Sequence, residues 1–511
     1  MKHLIYASSS SLTDPHFGIL MEEAESSYRE GNEVTFAYCD GVSHYCILNP
    51  HGDRLLCTAC RKYARSLMKK HLSQGIKRLP LKRKKFSTPE SCPCQSVQEL
   101  KNIVYKNVYI GYGILSNYTS ITRDPDPDFT DHLTQKYFAF AIAHAQMLTD
   151  ELIRLADGEN PDVISIYNGR LIDNRPLYDL AKFRNIPFRG NECIGGLRSN
   201  SAVGRIIYED NLPHSIPYNT ELMEKLWTMD NEPLSEKERK GRDFFERRRN
   251  GVPAGDRVYT ANQKKGLLPD NWDNRKRNIV IFNSSEDELS SVGKEFEDYN
   301  LFASQYEGIK YLLEKFDSEE FHFYLRVHPN LRNVHFKYHT DLYKLPEKYK
   351  NITVIAAADP CSTYDLMDAA EKVIAFGSTM GAEAAYWKKP AILLGGAFYH
   401  LLDICYTPRT LKEAEECIKN HLEPKENYNA LKYGYFVLNR HLLTIPAKYV
   451  DISARKVKLL GYEFSSSAYA KLFGSVTLGK ILRLSLVVWA MWRKRIKFPN
   501  KLYYECQKSS K

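Results

Sequence analysis

No stretch of this chain stays apolar for the roughly 18 residues that a membrane-spanning helix needs, so no span is expected. The opening residues, MKHLIYASSSSLTDPHFG, lack the apolar core of a secretion signal. Eleven cysteines in a chain with no such signal argue against a disulfide framework and for reduced thiols. No internal repeat is present, which sets repeat architectures aside. Acid is missing from Arg61 to Phe86, where eleven Lys and Arg stand with only Tyr63 and Phe86 as aromatics. A strand-binding nucleic-acid surface would interleave aromatics with its cations, so nucleic acid is not an expected partner. The cationic run, the basic C-terminal segment and the net charge of +10 fit work near anionic lipid or a polyanionic sugar.

What remains is an ordinary globular composition, 43% hydrophobic and 26% charged, long enough for two or three domains. The most informative stretch is Asp359–Gly396. Lys372–Phe376 has the length of a buried strand, Gly377-Ser378-Thr379 turns into an Ala-rich helix to Lys388, and Ala391–Leu394 is the next strand. This is a βαβ unit, so it implies a parallel sheet. Its turn suits an anion: Ser378 can cap the helix, Gly381 lets a ligand approach the backbone, and Glu383 lies one turn in, within reach of a ribose.

Strand–helix alternation recurs on both sides. His3–Ala7, helix His16–Glu30 and Glu33–Cys39 open a first doubly wound domain, expected over 1–204. Val108–Leu115 reads as a strand, Phe129–Leu155 as a long helix, and Asp162–Tyr167 as a strand entering Asn168-Gly169-Arg170. A basic, cysteine-bearing insert is expected at about 40–95. In it Cys57 and Cys60 have zinc-knuckle spacing, and Cys39 and Cys46 could complete a closed structural shell; buried free thiols are the alternative. Residues 205–275 read as a helical connector, its run EKERKGRDFFERRRN being taken as a solvated face. The second domain is expected over 276–425. There Ile279–Asn283, Phe321–Val327, Ile352–Ala356 and Lys372–Phe376 would end on one sheet edge near Ser284, His328, Ala357 and Ser378. Residues 426–511 are expected to return to the first domain. In them ILRLSLVVWAMWRKRIKF (481–498) could lie in a membrane interface or pack as a tail helix.

Four pieces in order, YNGR (167–170), FNSSEDE (282–288), LRVHPN (325–330) and 361–396, resemble the bacterial capsule polysaccharide biosynthesis glycosyltransferases. The His-Pro pair is similar to that of sialyltransferases, Kdo transferases and teichoic-acid polymerases. The resemblance implies a GT-B fold, two Rossmann-like domains facing across a cleft. It implies that the second domain holds a CMP-, UDP- or GDP-linked sugar and the first a lipid-linked or polysaccharide acceptor. It gives His328-Pro329, Ser378 and Thr379 to the donor phosphate, Glu383 to the ribose, and places Ser284 and Ser285 beside the phosphates. Arg326 is read as a surface ion pair. An acid or histidine of the first domain should act as base: Asp14, His16, Asp40, Asp173 or Glu192, with Asp40 and Glu192 put forward. The Asp-X-Asp letters at 124–128 fall in a proline-rich loop, so a metal-independent reaction is expected. A CDP-polyol phosphotransferase, a sugar-nucleotide epimerase and a non-catalytic nucleotide-binding subunit of an export complex stay open. The expected location is cytoplasmic, on or near the inner face of the membrane.

Overall fold

A computed structural model describes residues 1–8, 16–44, 46, 47, 49, 54–196, 201–255, 259, 260, 263–452, 456–459 and 462–465. Asp14 and the apolar-basic segment 481–498 lie outside the described residues. The chain divides into two compact units. The first comprises Met1–Thr122, Pro127–Pro213 and the segment beginning at Thr444. The second comprises Arg123–Asp126 and His214–Leu443.

The first unit is built on β1 (Lys2–Ala7), β2 (Glu33–Asp40), β3 (Lys77–Lys82), β4 (Val163–Tyr167), β5 (Phe188–Gly196) and β6 (Ser201–Glu209). The second is built on β7 (Arg277–Phe282), β8 (Phe321–Arg326), β9 (Ile352–Ile355), β10 (Lys372–Phe376) and β11 (Ala391–Gly395). Beyond it, β12 (Ile445–Pro446) pairs with β6, and β13 (Lys456–Leu459) pairs with β14 (Tyr462–Ser465) as a separate ribbon. The first sheet runs β12-β6-β5-β4-β1-β2-β3, parallel from β5 to β3 and antiparallel at β6 and β12. The second runs β11-β10-β7-β8-β9 and is parallel throughout. Each is thus a doubly wound Rossmann-like sheet whose first strand sits in the middle, with the order reversing beside it. The strands are apolar runs without alternation because helices cover both faces: all of β8, β10 and β11 is buried.

Several expectations need correction. The region around 40–95 is no insert. Its helix Arg54–His71 and strand β3 complete the first sheet, and the cationic run lies on them. Pro80 is tolerated in β3 because that strand is at the sheet's edge. Val108–Leu115 is not a strand but enters the helix Ile110–Thr122. A side chain at Gly111 would stand 1.7 Å from the Leu100 carbonyl oxygen, so the glycines that look like strand punctuation are close-packing points of a buried helix. Gly111→Ala should cost about 3 kcal/mol or more, because backbone rather than a flexible side chain must give way; urea unfolding measures it. Finally, the boundary expected at 204 falls inside β6, and the helices Ile216–Thr228 and Leu234–Arg249 of the expected connector belong to the second unit.

The chain returns to the first unit at Thr444 rather than near 426. Buried Glu22 receives it, its carboxylate accepting from the backbone N–H groups of Lys448 (2.6 Å), Tyr449 (3.1 Å) and Val450 (2.7 Å). Among the described residues no helix is long and apolar enough to cross a membrane.

Candidate functional site

In the second unit β7 is the central strand, and the order reverses between β7 and β10. Register aligns the strand ends: Phe282 is opposite Arg326 and Ala375, and Arg326 is opposite Ile355. Residues just past those ends therefore gather at one place, the reversal point where open α/β sheets take ligands. A cavity opens there, and Asn283, His328, Ser378, Thr379 and Glu383 line it.

Each lining group is fixed by its neighbours. The His328 N–H donates to Asn283 Oδ1 at 2.8 Å, and His328 Nδ1 accepts from the Asn330 N–H at 3.2 Å. The second bond leaves the ring proton on Nε2 as a donor. Burial pushes the imidazole down to about 4, so it is neutral at physiological pH. Gly377 has φ +66°, and a side chain there would stand 2.9 Å from the Gly396 carbonyl, so this turn needs glycine. Ser378 is buried, its Oγ accepting from the Met380 N–H at 3.4 Å and its carbonyl from the Tyr399 hydroxyl. Thr379, not Ser378, takes the capping position of the short helix Met380–Tyr386, without a side-chain cap. Gly381 serves packing instead of ligand approach, since a side chain there would meet Tyr399 Oη at 2.4 Å.

Ser284 and Ser285 do not line this cavity. Gln305 Nε2 donates to Ser284 Oγ at 2.9 Å. Ser285 Oγ donates to Asp287 Oδ1 at 2.7 Å and accepts from Arg123 at 3.0 Å. Arg326 is no surface pair: it is 3% exposed and donates to the carbonyls of Ala356 (2.6 Å) and Asp359 (3.0 Å).

Sequence reasoning missed Arg248, which also lines the cavity. Its Nε donates to Glu383 Oε1 at 2.9 Å and its Nη2 to Thr379 Oγ1 at 3.3 Å. The Tyr364 hydroxyl also donates to Glu383, which is fully buried. Arg248 lies near the end of the run read as solvated. Phe244 and Phe245 in the same helix are wholly buried, and that pair spaced three and four residues before Arg248 was the available signal. Burial works against the Arg248 charge, but Glu383 beside it more than offsets this and raises its pKa.

In the first unit the candidate bases differ sharply. Asp40 is buried, with Arg61 at 2.8 Å and Arg65 at 2.7 Å. Burial pushes its pKa up, yet the arginines hold it below the usual carboxylate range, which makes a poor base. Glu192 accepts from the Tyr167 hydroxyl (2.6 Å), Asn168 Nδ2 (2.9 Å) and the Cys193 N–H (3.0 Å). The His16 ring stacks on Tyr167 with centroids 3.7 Å apart. Asp173 is 5% exposed and accepts from Ser43 Oγ at 2.7 Å; burial pushes it up to about 7. Cys39, Cys46, Cys57 and Cys60 do not assemble as a zinc shell. Among the described residues no three His, Cys, Asp or Glu side chains are grouped to hold a metal. Burial raises Cys39 to about 12 and also raises Cys57, so without a metal these two are protonated thiols.

Residues 274–425 match the family model described as capsule polysaccharide biosynthesis protein. The match spans all five strands of the second sheet and every cavity-lining residue named above except Arg248, so the resemblance seen in the sequence holds there. No curated protein matches the chain. Among solved structures it is similar to the β-Kdo 2,4 transferase KpsC of Thermosulfurimonas dismutans, at 16% identity over 54% of this chain and 80% of that one, TM-score 0.34. The β-Kdo 2,7 transferase of the same organism follows at 14% identity over 63% and 87%, TM-score 0.31. A UDP-GlcNAc 2-epimerase from Neisseria meningitidis aligns at 12% identity over 92% and 99%, TM-score 0.20.

Proposed function

We propose that this protein is a glycosyltransferase of capsule or other surface polysaccharide synthesis. Its second unit takes a nucleotide-activated sugar, and its first takes the acceptor. One observation carries the reading: the cavity at the β7/β10 reversal is lined by His328, Ser378 and Thr379, inside the stretch that matches the capsule family. A sugar leaving a nucleotide places new negative charge on the phosphate, and fixed neutral donors stabilise that charge without reorganising. The reaction in this reading uses no metal. The exposed cations Lys62, Arg65, Lys69 and Lys70 on the helix Arg54–His71, with Lys77, Arg78 and Lys82 on β3, would hold the enzyme near an anionic acceptor or the inner membrane face.

The test is a thermal-shift screen of the purified protein against CMP, CDP, UDP and GDP. A ligand that binds only the native state raises its melting temperature, by about 2.7 kcal/mol of added stability at a hundredfold excess over Kd. Protection by one of them, followed by sugar transfer from its activated form, is expected. Transfer of a polyol phosphate from a CDP-activated donor would move the assignment to the teichoic-acid type. Binding without any turnover would leave a nucleotide-binding subunit.

A further inference from the structure

Glu383 is the residue that the family resemblance gives to the ribose, yet its carboxylate is already committed. It has no exposed surface, and Arg248 Nε, the Tyr364 hydroxyl and Thr379 Oγ1 are all directed at it. Three donors leave a carboxylate little capacity to receive a pair of ribose hydroxyls. The cavity beside it has the opposite character. Arg248 Nη1, Arg326 Nε and Thr260 Oγ1 are buried polar atoms without a hydrogen-bond partner in the protein, and all three residues line the cavity. Buried donors left unpaired cost stability unless a ligand satisfies them. Two are guanidinium nitrogens, which only donate, so the ligand they fit is an acceptor, and their charge makes it an anion. His328 Nε2 adds a neutral donor to the same wall.

We infer that Arg248 is the anion-binding residue of this cavity, contacting a phosphate oxygen through Nη1, and that Glu383 is a positioning residue that holds the Arg248 guanidinium by Nε. The inference deepens the donor-site reading and rests on it for the nucleotide, but not for the anion. Geometry supports the division of roles. Glu383 takes Nε and Thr379 takes Nη2, so two of the three guanidinium nitrogens are anchored and the third is left toward the cavity. An arginine clamped this way loses little freedom when an oxyanion arrives.

The experiment measures binding by calorimetry to wild-type protein, R248Q, R248K and E383Q, with melting temperature recorded for each. The probes are inorganic phosphate, the nucleotide that protects the wild-type protein in the thermal screen, and the 2′,3′-dideoxy form of that nucleotide. R248Q is expected to weaken phosphate and nucleotide by at least about tenfold, the worth of one charge-assisted hydrogen bond. R248K keeps the charge but not the fork and should fall between. If R248Q does not fold, R248K carries the test alone, and wild-type affinity in it overturns the inference. E383Q should leave the ratio of ribonucleotide to dideoxynucleotide affinity within twofold of wild type. Collapse of a wild-type ribose preference in E383Q would restore Glu383 to the ribose and overturn the positioning role. Phosphate binding that depends on Arg248 in a protein that binds no nucleotide would keep the anion site and remove the donor reading. Binding of neither phosphate nor nucleotide by wild-type protein would remove both.

Discussion

His328→Ala should lower kcat for sugar transfer by about 100-fold or more while leaving the melting temperature within a few degrees. The size follows from what one fixed donor at a developing oxyanion contributes in a buried site. The direction follows from the geometry of the ring. Nδ1 is occupied by the Asn330 N–H, so Nε2 carries the hydrogen and can only donate. Burial keeps the ring neutral down to about pH 4. The histidine therefore donates a hydrogen bond across the working range and does not act as a titrating acid. The rate should show no break near pH 6.5 that vanishes in His328→Ala. The fold should tolerate the loss, because the ring caps only the three-residue turn Pro329–Leu331. His328→Asn keeps a side-chain donor and a capping oxygen and should retain more activity than the alanine variant. A steady-state assay in which His328→Ala stays within tenfold of wild type would remove the assignment.

The parts of this site legible in the sequence are those encoded by contiguous pattern. β10, Lys372–Phe376, and β8, from Phe321, are short, mostly apolar runs followed by Gly or His-Pro, and their length and punctuation define them. That is why the strand ends carrying His328 and Ser378 could be placed on one edge. What local pattern does not encode is which side of a charged helix meets a cavity. Arg248 stands among EKERKGRDFFERRRN, where composition argues for solvent, and only the three-dimensional packing of Phe244 and Phe245 turns it inward. Ser284 and Ser285 failed for the converse reason. Their position after β7 was read correctly, but Gln305 and Arg123, distant in sequence, and the nearby Asp287 take up their hydroxyls. β3 was missed because an edge strand bearing Pro80 and three cations has neither the alternation nor the apolar run of an internal one.

Replacing Asp173 by Asn should give a protein that is more stable and less active, two changes of opposite sign from one proton. Burial raises the Asp173 pKa from its ordinary 3.8 to about 7, although Ser43 Oγ, donating at 2.7 Å, pulls the other way. A carboxyl with a raised folded-state pKa favours folding fully below about pH 3.8, and that contribution is lost as pH rises through about 7. Above pH 7 the folded protein must bury a carboxylate that water would solvate in the unfolded chain. Asparagine fills the same volume and never ionises. Asp173→Asn should therefore match wild type in urea unfolding at pH 4 and exceed it by up to about 4 kcal/mol at pH 8, from about 1.4 kcal/mol per tenfold in proton affinity. Activity should move the other way. A general base works best when its pKa lies near the operating pH, and its removal costs about 10²–10⁴-fold. If Asp173 is the base of the proposed transfer, its pKa suits that role, whereas Asp40 is held low by Arg61 and Arg65. On this reading the wild-type rate falls on the acid side of pH 7, and the residual rate of Asp173→Asn loses that limb. A variant stabilised at pH 8 with full activity would make Asp173 a buried acid of the first unit and return the search for the base to Glu192 and His16. A variant destabilised at pH 8 would mean that the carboxylate has a partner worth more than its lost hydration.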